Sequence, residues 1–512
     1  MGQLPNEPRV ELMLRFPLPD CRRKGIGLDQ STTGCDIGVP IHSDCRSTSG
    51  REHSGEASLN SRKSHRHAAS TSRRAWLQAG AAAAGATLLS SGSLARETRS
   101  SAPARQAIVI YLQGGLSHYE SFDPKPLAPS DFRGEFHSIP TSIPGVHFSE
   151  HLPLLASRAH LFNVVRSAYV DSPSHPVAIH MTLTGWDLPG ASVAGKSRNT
   201  TSPSIGSVAA RTLGLREPGL PAYVTIPHSG QLGTRVHYAS AGLLGSAYEP
   251  LDSGMLPETS EQPFVAPPNL RLHPQLEPVR LRERLALLNT MQPSFENDVA
   301  SNPARFHQRA TGMLTADAAG RAFDLNQESR GTRAKYGDHL WGQQTILARR
   351  LAEAGVPFTL LNYTLNQVKG QDWDTHVDNF GLMKNTLLPP MDLAVSTLLD
   401  DLQDRGLLDT TLVAIFGEFG RTPRINANAG RDHWDKVFSV MLAGGGLKSG
   451  VIVGSSTRAG DVPLDRPVHF NDVLATIYRQ LGVSTTEVFE DAFGRPMPVL
   501  AHGSPIPELL LG

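Results

Sequence analysis

Continuous apolar runs ended by glycine alternate with stretches of helical period from residue 106 onward. Gln106-Ala-Ile-Val-Ile-Tyr-Leu112, bounded by Gln113-Gly114-Gly115, reads as a strand buried on both faces, as in a parallel sheet. Arg333–Glu353 carries apolar residues at helical spacing and stops at Gly355, and the strand-like stretch Val356–Tyr363 follows. From Met391 to Leu402, the residues Leu393, Ala394, Thr397, Leu398 and Leu402 form one helical face, with Pro389-Pro390 setting its start and Gly406 its stop. Thr411–Phe416 and Val437–Leu442 are two more buried strands, the second closed by Gly444-Gly445-Gly446. This alternation predicts an α/β fold with an open, mostly parallel sheet and helices on both faces. Residues 250–330, proline-rich over 257–279 and poor in strand signals, read as a helical or looped insertion.

The amino-terminal region follows another pattern. Arg73-Arg74 precede Trp76-Leu77, the apolar stretch Ala79–Leu89 follows, and Ser93-Leu94-Ala95 supplies the small residues a signal peptidase reads. Residues 71–95 thus resemble a twin-arginine export signal, which predicts a mature start near Arg96 and a periplasmic or extracellular location. Residues 1–70 show no sustained period and read as a disordered extension or a product of start-codon choice. Residues 96–512 are then expected to form a single domain carrying the insertion.

Composition narrows the function classes. Lys+Arg and Asp+Glu both number 48, which excludes a basic nucleic-acid-coating protein, and 39% hydrophobic residues exclude global disorder. Residues 1–95 hold 12 Lys/Arg against 8 Asp/Glu, so the remainder is mildly acidic. Cys21, Cys35 and Cys45 all precede the expected mature start, leaving no thiol nucleophile or cysteine metal site in the body. No apolar run reaches the ~18–20 residues of a spanning helix, so no stable membrane insertion is expected once the signal is cleaved.

In open α/β sheets ligands bind beyond the carboxyl ends of the strands. Four polar clusters are candidates: Gln113–Asp123 after the first strand; Ser172–Trp186, which contains His175 and His180; Asp372-Trp373-Asp374-Thr375-His376; and Glu418–Thr422 with Arg431-Asp432-His433-Trp434. Carboxylate with imidazole suits a divalent transition metal such as zinc, and Asp374, His376 and His433 form a three-ligand set. Arg421 beside Glu418 reads either as an ion pair or as a bidentate clamp for phosphate or sulfate oxygens. Trp186, Trp373 and Trp434 flank the clusters, as packing residues or as sugar-stacking surfaces. Ser117 and Ser174 lack a Gly-x-Ser-x-Gly elbow, and the chain reads as having neither a Gly-x-Gly-x-x-Gly fingerprint nor a P-loop, so neither dinucleotide nor nucleoside triphosphate binding is expected.

Gly114-Gly115-x-Ser117-His118, Phe122-Asp-Pro-Lys-Pro126, Asp372-Trp-Asp-Thr-His376, Gly417-Glu-Phe-Gly-Arg-Thr-Pro423 and Gly430-Arg-Asp-His-Trp434 together resemble the DUF1501 family over roughly residues 105–500. These are exported bacterial proteins, common in planctomycetes and related to sulfatases and alkaline phosphatases. The resemblance implies an alkaline-phosphatase-like α/β/α sandwich with a bimetallic centre and a hydroxyl or modified-cysteine nucleophile that cleaves phosphate or sulfate esters. Asp374, His376 and His433 fall in the order of one metal's ligands. At the other metal, Gln113-Gly114 stands where an Asp is usual and Glu418-Phe419-Gly420 where Asp-His-Gly is usual. Glu418 retains a ligand, and His118, Glu120 or Asp123 would have to supply the rest. Thr184-Gly185 resembles the end of the nucleophile helix, and counting ten residues back reaches His175, with Ser174 adjacent as candidate nucleophile.

Two readings follow. The first is an exported metal-dependent hydrolase of a small-molecule or polysaccharide sulfate or phosphate ester, with a divalent metal of zinc or calcium/magnesium type. In it Asp374, His376, Glu418 and His433 hold metal, Arg421 steadies the anion, and His175 or His180 moves the proton. The second is a secreted binding or assembly protein that keeps the fold without the chemistry.

Overall fold

Nine strands make up one sheet: β1 (Gln106–Tyr111), β2 (Phe162–Tyr169), β3 (Tyr223–Ile226), β4 (Leu251–Asp252), β5 (Phe358–Asn362), β6 (Thr411–Phe416), β7 (Phe438–Gly444), β8 (Ile452–Val453) and β9 (Val468–His469). The computed structural model describes residues 103–511 apart from 188–201, 218, 230–237, 265–269, 271–275, 292–309, 315–316, 364–371 and 491–493. The expected signal at 71–95 and the extension before it lie outside the described residues.

The sheet order is β8-β2-β7-β6-β1-β5-β3-β4, with β9 also paired to β2. β1 runs parallel to β5 and β6, and β3 runs parallel to β5 and β4. β8 and β9 run parallel to β2. β7 alone is reversed, antiparallel to both β6 and β2. The expectation of a mostly parallel sheet therefore holds with one inversion. Its cause is the connection: no crossover helix separates β6 from β7, and a parallel neighbour needs one whereas an antiparallel neighbour needs only a loop. Five strands escape the apolar-run reading: β2, β3 and the two-residue β4, β8 and β9. β2 is interrupted by the polar residues Asn163, Arg166 and Ser167, and β3 has only four residues.

Alternate residues of β1 serve two cores, as the two-residue period of a strand requires. Ile108 and Ile110 pack with α3 (Leu340–Ala354) and α4 (Leu388–Asp404). Ala107, Val109 and Tyr111 pack with α1 (His175–Thr184), α2 (Ile205–Leu213) and α5 (Phe470–Leu481). The architecture is thus an α/β/α sandwich, with every residue of β1 and β6 buried.

The helix expected over 333–353 is broken. A short helix, Arg330–Lys335, ends before Gly337 (φ 106°), and α3 then starts under a His339 cap whose Nδ1 accepts the Gly342 N–H. α4 begins at Leu388, directly after a π-helical turn over Met383–Leu387, with Pro389 and Pro390 in its first turn as expected. Within residues 250–330 the described part includes the helices Pro278–Met291 and Asp317–Phe323, but the stretch read as helical or looped begins with β4, an edge strand of the main sheet that is too short to give an apolar run.

Candidate metal centre

β1, β2, β5 and β6 are mutually parallel, so their carboxyl ends share one edge. The segments leaving that edge carry Gln113–Gly115, the first turn of α1, Asp372–His376 and Glu418–Arg421. The cluster around His175 therefore does follow a strand, β2. Inverted β7 enters the sheet from the same edge, and His433 lies just before it. A two-residue antiparallel pairing, Arg421 with His433 and Gly420 with Trp434, fixes that approach. Gly114 (φ 116°) is required here, because a Cβ would run into the backbone of Trp373 and Asp374.

Three imidazoles meet one carboxylate. His175 Nε2 lies 3.3 Å from Asp374 Oδ2, while His376 Nε2 and His433 Nε2 each lie 3.1 Å from Asp374 Oδ1. The last two nitrogens are 2.9 Å apart. On the far side of each ring, Nδ1 meets a group that only accepts: Glu418 Oε1 at 2.6 Å for His175, Asp432 Oδ1 at 2.7 Å for His376, and the Pro173 carbonyl at 2.9 Å for His433. Each Nδ1 therefore carries the hydrogen and donates it. A neutral imidazole has only one N–H, so three Nε2 lone pairs converge on the Asp374 carboxylate. His175 Nε2 is buried and has no hydrogen-bond partner among the described residues.

Lone pairs converging on a carboxylate repel one another unless positive charge sits among them. Burial pulls the His175 pKa down, but the Asp374 and Glu418 carboxylates on either side outweigh it and raise it to about 9. Burial likewise pushes Asp374 up, and His175, His433 and Arg421 hold it far below the usual carboxylate range. A proton or a metal ion meets this demand. Tetrahedral ligands about 2.1 Å from zinc are roughly 3.4 Å apart, close to the spacing seen, and Nδ1–H bonds to carboxylate or carbonyl are the usual outer support of metal-binding histidines. The donor set thus fits a metal. Among the described residues, the one group of His, Cys, Asp and Glu whose donor atoms all lie within 4.8 Å of one another is His175, Asp374 and His433, so His175 takes the place expected of His376, which touches Asp374 and His433 but does not close with His175.

The other candidates lie elsewhere. Glu418 stands behind His175 rather than in the cluster, is fully buried, and accepts the Gly114 N–H at 2.9 Å. It is a positioning carboxylate, so Glu418→Gln is expected to weaken zinc affinity by about 10–100-fold while leaving the three imidazoles in place. Competition titration against a coloured chelator measures this, and an unchanged affinity would remove Glu418 from the centre. Arg421 is buried and turned inward. Its Nε donates to the Gly115 carbonyl at 3.1 Å, and Nη1 to the Arg431 carbonyl at 3.1 Å. Nη2 donates to the carbonyls of Gly114 and Trp373 and to Asp374 Oδ1 at 2.7 Å. Facing backbone and carboxylate, this guanidinium presents no fork to a substrate anion.

Ser174 is exposed between Pro173 and His175, and its hydroxyl does not cap the helix. His180 is five positions along α1 from His175, which turns it roughly 140° away. It is buried, with Nδ1 on the Trp186 carbonyl at 2.6 Å, and burial lowers its pKa to about 4. None of the proposed stand-ins for a second metal site reaches the cluster. Glu120 pairs with Arg431 at 2.7 Å, Asp123 pairs with Lys125 at 3.0 Å, and His118 Nε2 meets the Gly460 carbonyl at 2.8 Å. Trp373 is buried and stacked 5.6 Å from Trp341, so it belongs to the core. Trp434 bonds the Asp461 carbonyl through Nε1.

Sequence reasoning missed Asp432 and the Pro173 carbonyl as supports. Asp432 directly precedes His433, and the readable signal was a carboxylate beside a candidate ligand. One further motif needs correction. Gly190-Ala-Ser-Val-Ala-Gly195-Lys196-Ser197 has the spacing of a phosphate-binding P-loop. It follows helix α1, not the strand such a loop requires, and its own residues lie outside the described ones.

Fold and site define an α/β/α protein with a cluster of three imidazoles and one carboxylate at the carboxyl edge of its sheet. The chain belongs to the DUF1501 family, described as a protein of unknown function, whose model matches residues 104–510. No curated protein matches it in sequence. Similar solved structures include the lipoteichoic acid synthase LtaP from Listeria monocytogenes, at 9% identity and TM-score 0.35, covering 77% of this chain and 76% of that one. A protein in the alkaline phosphatase superfamily from Vibrio parahaemolyticus is 11% identical with TM-score 0.32, covering 74% and 67%. The PsFucS1 sulfatase from Pseudoalteromonas sp. is 12% identical with TM-score 0.31, covering 74% and 68%.

Proposed function

We propose that the protein is an exported metal-dependent hydrolase acting on a sulfate or phosphate ester of a small molecule or polysaccharide. The observation that carries the reading is the convergence of three Nε2 lone pairs on Asp374, each ring fixed from behind by an acceptor at Nδ1. His175, Asp374 and His433 would hold one divalent ion, with His376 Nε2, 2.9 Å from His433 Nε2, as a neighbouring donor. Imidazole nitrogens with one carboxylate suit zinc or a similar transition metal; calcium and magnesium call for six or more oxygens, so that half of the expectation is dropped. A metal bound there supplies a Lewis acid that polarises the ester oxygen. The chain's own residues prepare the place. Glu418 and Asp432 lock the tautomers of His175 and His376, Arg421 holds Asp374 ionised and oriented, and Gly114 lets the two loops touch. The exposed Ser174 hydroxyl is beside His175, available to an incoming ester.

The test is a panel of nitrophenyl phosphates and sulfates with the zinc-loaded full chain. Turnover of one ester class, lost on chelation and restored by zinc, is the expected result. Failure to turn over either class would transfer the proposal to a secreted binding or assembly protein. Two observations favour that second reading: Arg421 faces inward, and the hydroxyl of Ser174 has no base bonded to it.

A further inference from the structure

The surroundings of Arg421 exceed what holding one carboxylate requires. Nη2 lies among three oxygens, the carbonyls of Gly114 and Trp373 and the Asp374 Oδ1, in a place with no solvent access. A carboxylate and two backbone carbonyls around a buried positive centre are the ligand types of a hard metal cation. The charges point the same way. With a metal bound, Asp374, Glu418 and Asp432 contribute three negative charges, Arg421 one positive, and the imidazoles, neutral as ligands must be, none. The resulting excess of two negative charges is balanced by one divalent ion. A second would leave two uncompensated positive charges at a site only partly open to solvent, which is unfavourable.

We propose that Arg421 is the resident second cation of the centre: its guanidinium occupies the oxygen-lined position beside Asp374 Oδ1, so that the centre takes one metal ion and not two. The inference rests on the reading of the imidazole cluster as a metal site. It also explains why Glu120, Asp123 and His118 are all engaged elsewhere, since no second ion needs them.

Stoichiometry tests it. The metal-stripped full chain is titrated with cobalt(II), followed by its visible absorption, and separately with magnesium and calcium by calorimetry in the cobalt-loaded state. The wild type is expected to take one cobalt and no further ion. Arg421→Ala is expected to take cobalt less tightly and to gain a second equivalent as magnesium or calcium in the vacated oxygen pocket. Arg421→Lys, which keeps the charge, is expected to stay at one. Two equivalents in the wild type overturn the proposal, leave the metal reading standing, and need no variant to fold. A folded Arg421→Ala chain that gains no second ion, or an Arg421→Lys chain that does, also overturns it. No cobalt in the wild type overturns the metal reading and this inference with it.

Discussion

Arg431→Met is expected to destabilise the folded protein by about 3–5 kcal/mol, the usual cost of removing one member of a buried ion pair. The Arg431 guanidinium has no solvent access and meets Glu120, equally buried, through Nε at 3.0 and 3.1 Å and Nη2 at 2.7 Å. Its remaining donors tie down the carbonyls of Thr422, Pro423 and Phe132, and its plane lies 4.3 Å from the Tyr119 ring centroid. Methionine fills much of the volume but leaves Glu120 as a buried, unpaired carboxylate and three carbonyls without a donor. Urea unfolding measures the loss. The double variant Glu120→Gln/Arg431→Met should be less unstable than the sum of its singles, because the stranded charge is gone. A single variant within about 0.5 kcal/mol of wild type would mean that the pair is not what joins these loops.

His433→Ala is expected to abolish ester turnover and to cut zinc affinity by more than the roughly 10–100-fold typical of outer-shell changes, because it removes a ligand itself. The fold should survive. The His433 side chain is 23% exposed and lies in a two-residue strand at the sheet edge, so truncation opens no cavity in either core. Zinc affinity, turnover and far-ultraviolet circular dichroism together separate the cases. Retained affinity in a folded variant would remove His433 from the centre, and lost dichroism would make its role structural.

Much of this was legible in the chain, and what was not has a physical cause. β1 and β6 announce themselves because both faces are buried, which leaves no polar alternation to confuse the period. β2 does not, because Asn163 and Ser167 turn inward to bond the backbone at Lys448 and Arg466, interrupting the apolar run. The inversion of β7 is set by which strand it joins, a choice its own residues do not encode. Asp374, His376 and His433 stand out as carboxylate and imidazole beside strand ends. His175 reads as a proton carrier, since its place among the ligands depends on Glu418, far along the chain, orienting the ring. Arg421 reads equally as an ion pair or as an anion clamp for a similar reason. Guanidinium beside carboxylate looks the same in sequence whether it faces solvent or the backbone carbonyls of Gly114 and Trp373.

The measurement that bears most directly on the central claim is elemental analysis of the full chain, purified without chelators, beside the Asp374→Ala/His433→Ala double variant. Imidazole lone pairs gathered on one carboxylate, with His175, Asp374 and His433 closing on one another, predict one transition metal per wild-type chain and none in the variant. A wild-type chain without metal, or a variant that retains it, would contradict the account.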